Sequence, residues 1–408
     1  MKRSFLTAGL LLSVMILAAC GDNDAAAAPA DTAETETIVE SIPEIEETAA
    51  EEAAAVPEAE EAEPEEEAPA EDVSEEAEEA VEEPEEEAAE PSGEEEAGLP
   101  SSFAESASVD RVIDIDQWGW TEAVPESYFE PSYYPGTVVR FEYETKDYVT
   151  GTGEKLTKPA FVYLPCGYDE DDKDVLYDTF YFMHGIDTKA EDLFYDDDGR
   201  AKNMLDNMMM NGDIPRMIII SATYDRYNEP TGYDWSLVEL GKFHQEFVND
   251  LMPAVEAEFN TWGGSGSDEE LKASRDHRGF GGFSLGGVTT WNQFCYNYDY
   301  IRYFLPMSGP CWCYSGAYDA YDVDDTISRL KELITENDLN ERGYFIYVCT
   351  GTQDTMESYV SMLMEPLTWQ KDFFTPQHIV YYRKDGGEHD FDATKEYLYN
   401  GLSVMFGN

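Results

Sequence analysis

From about residue 136 onward, short apolar and aromatic runs alternate with longer segments in which apolar residues recur every three to four positions. The short runs predict strands and the longer segments predict helices. This alternation indicates an α/β sandwich of three layers, with a mostly parallel central sheet covered on both faces. The predicted strands are 137–143, 160–164, 179–183, 217–222, 279–283, 303–307, 344–349 and 379–382. The predicted helices are 201–210, 237–259, one from residue 285, 327–334, 356–369 and 393–405.

The segment before this alternating region has a different composition. Residues 21–100 hold 29 Glu and 4 Asp and no Lys, Arg or aromatic residue. Such a chain cannot bury enough apolar surface to offset its conformational entropy, so we expect a disordered acidic linker over 21–105. Its like charges should extend it into a spacer. A long helix of Glu and Ala is the alternative, which the scattered prolines and dense charge disfavour.

The first twenty residues have the pattern of an export signal. Lys2 and Arg3 precede an apolar run over 5–19, which is short for a membrane span. The run ends in Leu17-Ala18-Ala19-Cys20, which resembles a bacterial lipoprotein signal. We therefore predict a signal peptide over 1–20, a lipid on Cys20 and an extracytoplasmic protein anchored at the bacterial cell surface. The alternative is an ordinary signal peptide with a chance cysteine.

Charge and length limit the remaining possibilities. The chain of 408 residues has 88 acidic and 25 basic side chains and a formal net charge of −63. This charge excludes a nucleic-acid binder, because phosphates would repel it. The length supports one large domain, predicted over 106–408 with its core at about 136–407. Nothing in the sequence indicates an obligate protein partner, and the lipid on Cys20 is the one membrane contact expected.

Five cysteines follow Cys20, and an odd number leaves at least one unpaired within the chain. The spacing of Cys311 and Cys313 is poor for a metal site, which usually has two to four residues between ligands. We interpret these cysteines as mostly buried thiols. The acidic stretches 169–174 and 196–198 lack the EF-hand spacing and are interpreted as solvated loops. The sequence therefore predicts neither a metal nor a cofactor.

One motif points to nucleophilic chemistry. Gly282-Phe283-Ser284-Leu285-Gly286 matches the pattern G-x-S-x-G, follows a predicted strand and opens a predicted helix. A nucleophile at such a sharp turn needs glycines two positions away on either side, since larger side chains would collide. Ser284 is thus the candidate nucleophile. A structural glycine-rich turn is the alternative interpretation.

A serine nucleophile needs a base, and the base needs an orienting carboxylate. Two histidines follow Ser284, and His378 opens a predicted strand, whereas His389 lies in a glycine-rich loop after that strand. We favour His389. Asp354 follows the predicted strand 344–349 and is the favoured carboxylate. Its rivals lie in the loop of the histidine itself, namely Asp385, Asp390 and Asp392.

The oxyanion of an acyl-transfer intermediate needs backbone N–H donors. Leu285 follows the nucleophile and begins a helix, whose dipole also favours negative charge. Ile186, in the loop after His184, is the candidate second donor. His184 itself is interpreted as a brace for that loop.

Six motifs occur in order and together resemble the family-one carbohydrate esterases, especially the feruloyl-esterase domains attached to bacterial xylanases. They are His184-Gly185-Ile186, Gly199-Arg200-Ala201, Arg275-Asp276-His277-Arg278, the elbow at 282–287, Gly351-Thr352-Gln353-Asp354 and Gly386-Gly387-Glu388-His389-Asp390-Phe391. The resemblance covers about 136–407. It implies a cap-less α/β-hydrolase domain that cleaves feruloyl or acetyl esters of plant xylan, with Ser284, Asp354 and His389 as its triad and an acylated polysaccharide or oligosaccharide as substrate.

Two regions depart from the family pattern. The usual glycine-rich oxyanion loop reads Asp187-Thr188-Lys189, and the segment 308–313 is unassigned. Asp187 and Trp312 are candidate substrate contacts, and Trp312 either forms an aromatic wall or packs inside. For Trp118 and Trp120 we favour packing on the domain edge over a sugar platform. Two other functions stay open, an acyltransferase with a sugar acceptor and a non-catalytic carbohydrate-binding lipoprotein.

Overall fold

The structure, a computed structural model, describes residues 118–407. The predicted signal peptide with Cys20, the predicted linker over 21–105 and the first residues of the predicted domain lie outside the described residues. Among the helices of 118–407, none is both long enough and apolar enough to cross a membrane.

Nine strands of the described chain form one sheet in the order β1-β9-β8-β7-β6-β4-β5-β3-β2. All pairings among β4 to β9, and the pairing of β1 with β9, are parallel, whereas β3 pairs antiparallel with β2 and β5. The mostly parallel sheet predicted from the sequence is therefore confirmed. The strands are β1 Trp118–Trp120, β2 Thr137–Lys146, β3 Lys155–Leu164, β4 Asp178–Met183, β5 Met217–Ala222, β6 Arg278–Phe283, β7 Tyr303–Met307, β8 Phe345–Gly351 and β9 Ile379–Lys384.

Helices cover both faces of this sheet. They are α1 Asp192–Tyr195, α2 Arg200–Asn211, α3 Tyr233–Glu246, α4 Met252–Glu258, α5 Asp268–Ala273, α6 Leu285–Asn297, α7 Val323–Glu336, α8 Leu339–Arg342, α9 Glu357–Leu367 and α10 Phe391–Phe406. A π-helical turn, Phe247–Leu251, joins α3 to α4. Single 3-10 turns occur at Glu126–Phe129, Asp197–Gly199, Arg275–His277 and Tyr318–Ala320.

Every strand and helix predicted from the sequence is present, with bounds that differ by a few residues. Strand β3 begins five residues before its predicted start, at Lys155. The predicted helix 237–259 begins four residues earlier, at Tyr233, and contains the π turn. Strand β1 and the short helices α1, α5 and α8 were not predicted, because segments this short carry too little periodicity.

The core lies in two layers, one on each face of the sheet. Successive residues of β4 alternate between them: Tyr181 and Met183 belong to the layer that includes α3, α6, α7 and α9, and Phe180 and Phe182 belong to the layer that includes α2 and α10. This alternation follows from the two-residue period of a strand. Because both faces are covered, the central strands are apolar throughout, which explains the unbroken apolar runs in the sequence.

A buried ion pair anchors the start of β6. Arg278 Nε donates to Glu256 Oε1 at 2.6 Å, and both side chains are about 1% exposed. Glu256 also accepts hydrogen bonds from Thr179 and Tyr181, at 3.0 and 3.1 Å. The Arg275-Asp276-His277-Arg278 motif therefore holds the strand that leads to Ser284, at the end of the strand away from that serine.

The tryptophans at the domain edge belong to β1. Trp118 is half-buried, and its ring contacts that of Tyr381 edge-on at 4.7 Å. Trp120 is 55% exposed, with the guanidinium of Arg383 over its ring at 4.9 Å. Packing on the domain edge is thus confirmed for Trp118, whereas Trp120 keeps one face open to solvent.

Candidate active site

Ser284 lies at a sharp turn between β6 and α6. Its backbone has φ 57° and ψ −117°, a strained conformation for a residue with a side chain. A Cβ on Gly282 would lie 2.5 Å from the carbonyl oxygen of Met183, and one on Gly286 would lie 2.0 Å from the same atom. Both glycines are therefore required for this turn, as the motif predicted.

Ser284, His389 and Asp354 form one line of hydrogen bonds. Nε2 of His389 lies 2.9 Å from Oγ of Ser284, and Nδ1 lies 2.9 Å from Oδ1 of Asp354. Because an ionised carboxylate only accepts, Nδ1 carries the proton and donates to Asp354, which leaves Nε2 as the acceptor for the serine hydroxyl. Asp354 is buried and also accepts the N–H of Met356 at 2.7 Å.

The alternative candidates for the carboxylate and for the base lie in different surroundings. Asp385 is exposed, Asp390 caps α10 by accepting the N–H of Ala393, and Asp392 pairs with Lys395. The ring of His378 stacks on Tyr344 at 4.8 Å, and burial lowers the pKa of its imidazole.

The loops that carry Asp354 and His389 are joined by backbone hydrogen bonds. In two of them an N–H of the Asp354 loop donates to a carbonyl of the histidine loop. In the third, an N–H of the histidine loop donates to a threonine hydroxyl of the Asp354 loop. These are Thr352 N to Lys384 O at 3.0 Å, Gln353 N to Gly387 O at 3.0 Å, and Gly386 N to Thr352 Oγ1 at 2.8 Å. The imidazole and its carboxylate are thus held by one connected unit at the carboxyl ends of β8 and β9.

The loop after β4 approaches Ser284 closely. A Cβ on Gly185 would lie 3.2 Å from the Cβ of Ser284. The carbonyl oxygen of Gly185 accepts three hydrogen bonds, which fix the plane of the peptide that joins it to Ile186. The donors are His184 Nδ1 at 2.7 Å, Tyr224 Oη at 3.0 Å and Thr188 Oγ1 at 3.1 Å. Since a trans peptide directs its N–H opposite to its C=O, they also fix the direction of the Ile186 N–H.

His184 is the brace predicted from the sequence. Its Nε2 lies 2.8 Å from Thr223 Oγ1, and burial lowers the pKa of its imidazole to about 4. A neutral ring that donates from Nδ1 to the Gly185 carbonyl accepts at Nε2, so Thr223 is the donor there. His184 therefore orients the loop and has no free nitrogen for proton transfer.

The two candidate substrate contacts differ in exposure. Asp187 is exposed and has φ 57°. Trp312 is only 8% exposed and packs against Tyr318 and Tyr359, with ring centroids at 5.0 and 6.4 Å. Trp312 therefore packs inside the protein, as the second of its two alternatives predicted. Its neighbour Tyr318 is 43% exposed to solvent. Tyr318 was not predicted as a site residue, although aromatic residues are dense over 312–321.

A mostly parallel sheet with helices on both faces and a serine elbow at a strand end defines an α/β hydrolase. No protein-family model matches the chain. It is 31% identical over 287 residues to endo-1,4-beta-xylanase Y of Acetivibrio thermocellus. That match covers 69% of this chain but 24% of the relative, so the chain spans about a quarter of that protein's length.

Solved structures agree with this assignment. A mutant of the feruloyl esterase module from Clostridium thermocellum, complexed with sinapinate, is 29% identical with a TM-score of 0.58, over 72% of this chain and 96% of that one. A CE1 ferulic acid esterase from the anaerobic fungus Anaeromyces mucronatus has the same fold, with a TM-score of 0.51. It is 17% identical, and the match covers 69% of this chain and 97% of that one. The chain is therefore an α/β hydrolase related to the feruloyl esterases, and the resemblance predicted from its motifs is confirmed.

Proposed function

We propose that the chain is a serine carboxylic-ester hydrolase that cleaves feruloyl or acetyl esters of plant cell-wall polysaccharide such as xylan. The observation that carries the proposal is the pair of 2.9 Å contacts that joins Ser284, His389 and Asp354. The similarity to a feruloyl esterase module and to a xylanase supports the class of substrate.

The proposed reaction begins when Ser284 Oγ attacks the ester carbonyl while His389 Nε2 takes the serine proton. The N–H groups of Leu285 and Ile186 stabilise the oxyanion, and Asp354 stabilises the imidazolium. His389 then delivers the proton to the departing sugar hydroxyl, which leaves an acyl-enzyme. Water, activated by the same imidazole, hydrolyses this ester and frees the acid. His389 carries every proton, so the proposal needs no cofactor.

The aromatic group formed by Trp312, Tyr318, Tyr359 and Tyr233 supports an aromatic acyl group in the substrate. Tyr318 contacts the rings of the other three, at centroid distances of 5.0, 5.6 and 5.9 Å. Trp312 and Tyr318 belong to the segment that follows β7, and Gly309 at the start of that segment lies against the backbone of Ser284. Tyr233 begins α3, and Tyr359 lies on α9. Offset or edge-on contact with such rings would favour a phenolic acid over acetate.

The decisive experiment compares Ser284→Ala with the matched control Ser328→Ala, which changes an exposed serine of α7. On 4-nitrophenyl acetate and methyl ferulate, Ser284→Ala should lose about 10⁴-fold or more in kcat, and the control should match the unchanged protein. Equal turnover by Ser284→Ala would contradict the proposal and favour a non-catalytic binding protein.

The substrate class is tested with a panel of methyl ferulate, methyl caffeate, acetylated xylan and short alkyl esters. A higher kcat/KM for the two phenolic esters would support the feruloyl assignment, and a preference for acetylated xylan would support the acetyl one. Acylated sugar as the main product in excess acceptor would indicate the alternative, an acyltransferase.

We also propose that the protein works outside the cytoplasm, held by a lipid on Cys20, with 21–105 as a linker to an esterase domain over 106–408. The signal-like pattern of residues 1–20 supports this location. Replacing Cys20 with Ala should move the protein from the membrane fraction to the soluble fraction. Retention in the membrane fraction would contradict the lipid anchor.

A further inference from the structure

The side chains of three cysteines, from α6 and from the segment after β7, lie close together. Cys295 lies on α6, and Cys311 and Cys313 lie in the segment after β7. Their three sulfur atoms all lie within 4.8 Å of one another, and the sulfurs of Cys311 and Cys313 are 3.7 Å apart. Within 118–407, no other group of three His, Cys, Asp or Glu side chains brings its ligand atoms this close.

The separation of the sulfurs fits a metal ion. Zinc–thiolate bonds of about 2.3 Å at tetrahedral angles put sulfur atoms about 3.8 Å apart. A disulfide needs about 2.05 Å and a suitable separation of the Cα atoms, which neighbours two positions apart reach only with strain. The observed 3.7 Å matches the first geometry.

The three cysteines lie in a largely buried place. Cys295 and Cys311 are buried, and Cys313 is half-buried. Because a metal ion binds thiolates, its binding here would release the protons of the thiols.

We propose that Cys295, Cys311 and Cys313 are the ligands of a structural site for a thiophilic divalent metal ion, zinc foremost. Three thiolates and a divalent ion leave a net charge of −1, whereas a monovalent ion would leave −2, which costs more to bury. The spacing of Cys311 and Cys313 alone does not indicate this site. The third ligand comes from α6 and joins them only in the fold.

A metal ion bound by these three cysteines would join α6 to the segment after β7. Ser284 precedes α6, and Cys311 and Cys313 flank Trp312. The same two elements already touch where a Cβ on Gly287 would lie 2.9 Å from the Cα of Gly309, and where Trp291 Nε1 donates to the Gly309 carbonyl at 3.0 Å. The bound ion would therefore hold the segment after β7 against α6, away from the reacting atoms.

The test uses the full chain, purified without oxygen or chelator, and does not depend on its activity. Elemental analysis should find one zinc per chain. The metal-free protein should then take up one equivalent of Co²⁺ with a thiolate-to-cobalt charge-transfer band, in an excess of Ca²⁺ that occupies the carboxylates. No zinc and no such band would overturn the proposal, as would a disulfide-linked peptide among these three cysteines in the freshly purified protein.

Variants locate the site. Cys313→Ser, which changes the least buried ligand, should lose the cobalt band, and the matched control Cys166→Ser, outside the cluster, should keep it. Zinc at about a hundredfold excess over its Kd should raise the Tm of the unchanged protein and of the control by roughly 5 °C, and leave Cys313→Ser unmoved. If Cys313→Ser does not fold, the cobalt titration of the unchanged protein still tests whether the chain binds a metal ion through thiolates. A band that survives in Cys313→Ser would place the metal elsewhere.

Discussion

Gly351 lies directly against Gly387, so closely that a Cβ on Gly351 would come within 2.1 Å of the Gly387 carbonyl oxygen. Gly351 ends β8 just before Asp354, and Gly387 precedes His389. The two glycines are thus the point at which the carboxylate loop and the imidazole loop touch. The distance between Asp354 and His389 depends on the absence of side chains there.

Gly351→Ala should therefore displace the histidine loop. A methyl group at 2.1 Å cannot be accommodated, and a shift of about 1 Å at the imidazole is expected to lower kcat/KM on 4-nitrophenyl acetate about 100-fold. The matched control is Gly241→Ala on α3, where a Cβ meets no atom within 4 Å and alanine favours the helix. The control should keep full activity and a Tm at least as high. Equal activity in both variants would show that the contact between the loops does not position His389.

Asp354→Asn tests the carboxylate. The amide carries no negative charge, and its NH₂ can donate to Nδ1 and so favour the wrong tautomer of the imidazole. The imidazolium would then lose its stabilising charge, and kcat should fall by about 10³–10⁴. Asp385→Asn, a change of the exposed aspartate in the histidine loop, serves as the control and should change kcat by less than about threefold. The reverse ranking in steady-state kinetics would transfer the role to Asp385.

Asp225 should make stability depend on pH. Burial, with Glu239 beside it, raises the pKa of the Asp225 carboxyl to about 7. The folded protein therefore retains this proton at pH values where the unfolded chain has lost it, and the stability linked to it falls as the pH rises from about 4 through 7. The free energy of unfolding of the unchanged protein, minus that of Asp225→Asn, should be larger at about pH 5 than at about pH 8 in urea titrations. A difference that grows with pH would contradict a raised pKa.

Glu256→Gln should destabilise the fold strongly, because it leaves the guanidinium of Arg278 buried without a carboxylate. The expected loss is about 3–5 kcal/mol in the free energy of unfolding, measured by urea titration. Arg329→Gln, which removes an exposed pair with Asp325 on α7, is the comparison and should cost less than about 1 kcal/mol. Similar losses in the two variants would mean that the Glu256 pair contributes no more than a surface pair.

Much of the fold and of the candidate site could be predicted from the sequence because the strands of the sheet are mostly parallel. In a parallel sheet the carboxyl ends of the strands share one edge, so residues just after β6, β8 and β9 had to lie near one another. The sequence therefore indicated Ser284, Asp354 and His389 without any knowledge of distance. The apolar runs located the strands for the same reason, since both faces of the sheet are covered.

The features that were missed depend on contacts between elements. The approach of Cys295 to Cys311 and Cys313 follows from how α6 packs beside the segment after β7, and no periodicity encodes that packing. The exposure of Tyr318 and the burial of Trp312 are likewise set by neighbours in space. Strand β1 is three residues long, too short for an alternating pattern to be recognised.

Strand β1 has a practical consequence for anyone who shortens the protein. It pairs with β9 along Trp118↔Tyr381, Gly119↔Tyr382 and Trp120↔Arg383, and so occupies a hydrogen-bonding edge that would otherwise be bare. A fragment trimmed to begin at Thr121 would leave that edge free to recruit a strand from another molecule, a common route to aggregation. Recombinant forms of the hydrolase domain should therefore start upstream of Trp118, well before the region that the family motifs delimit.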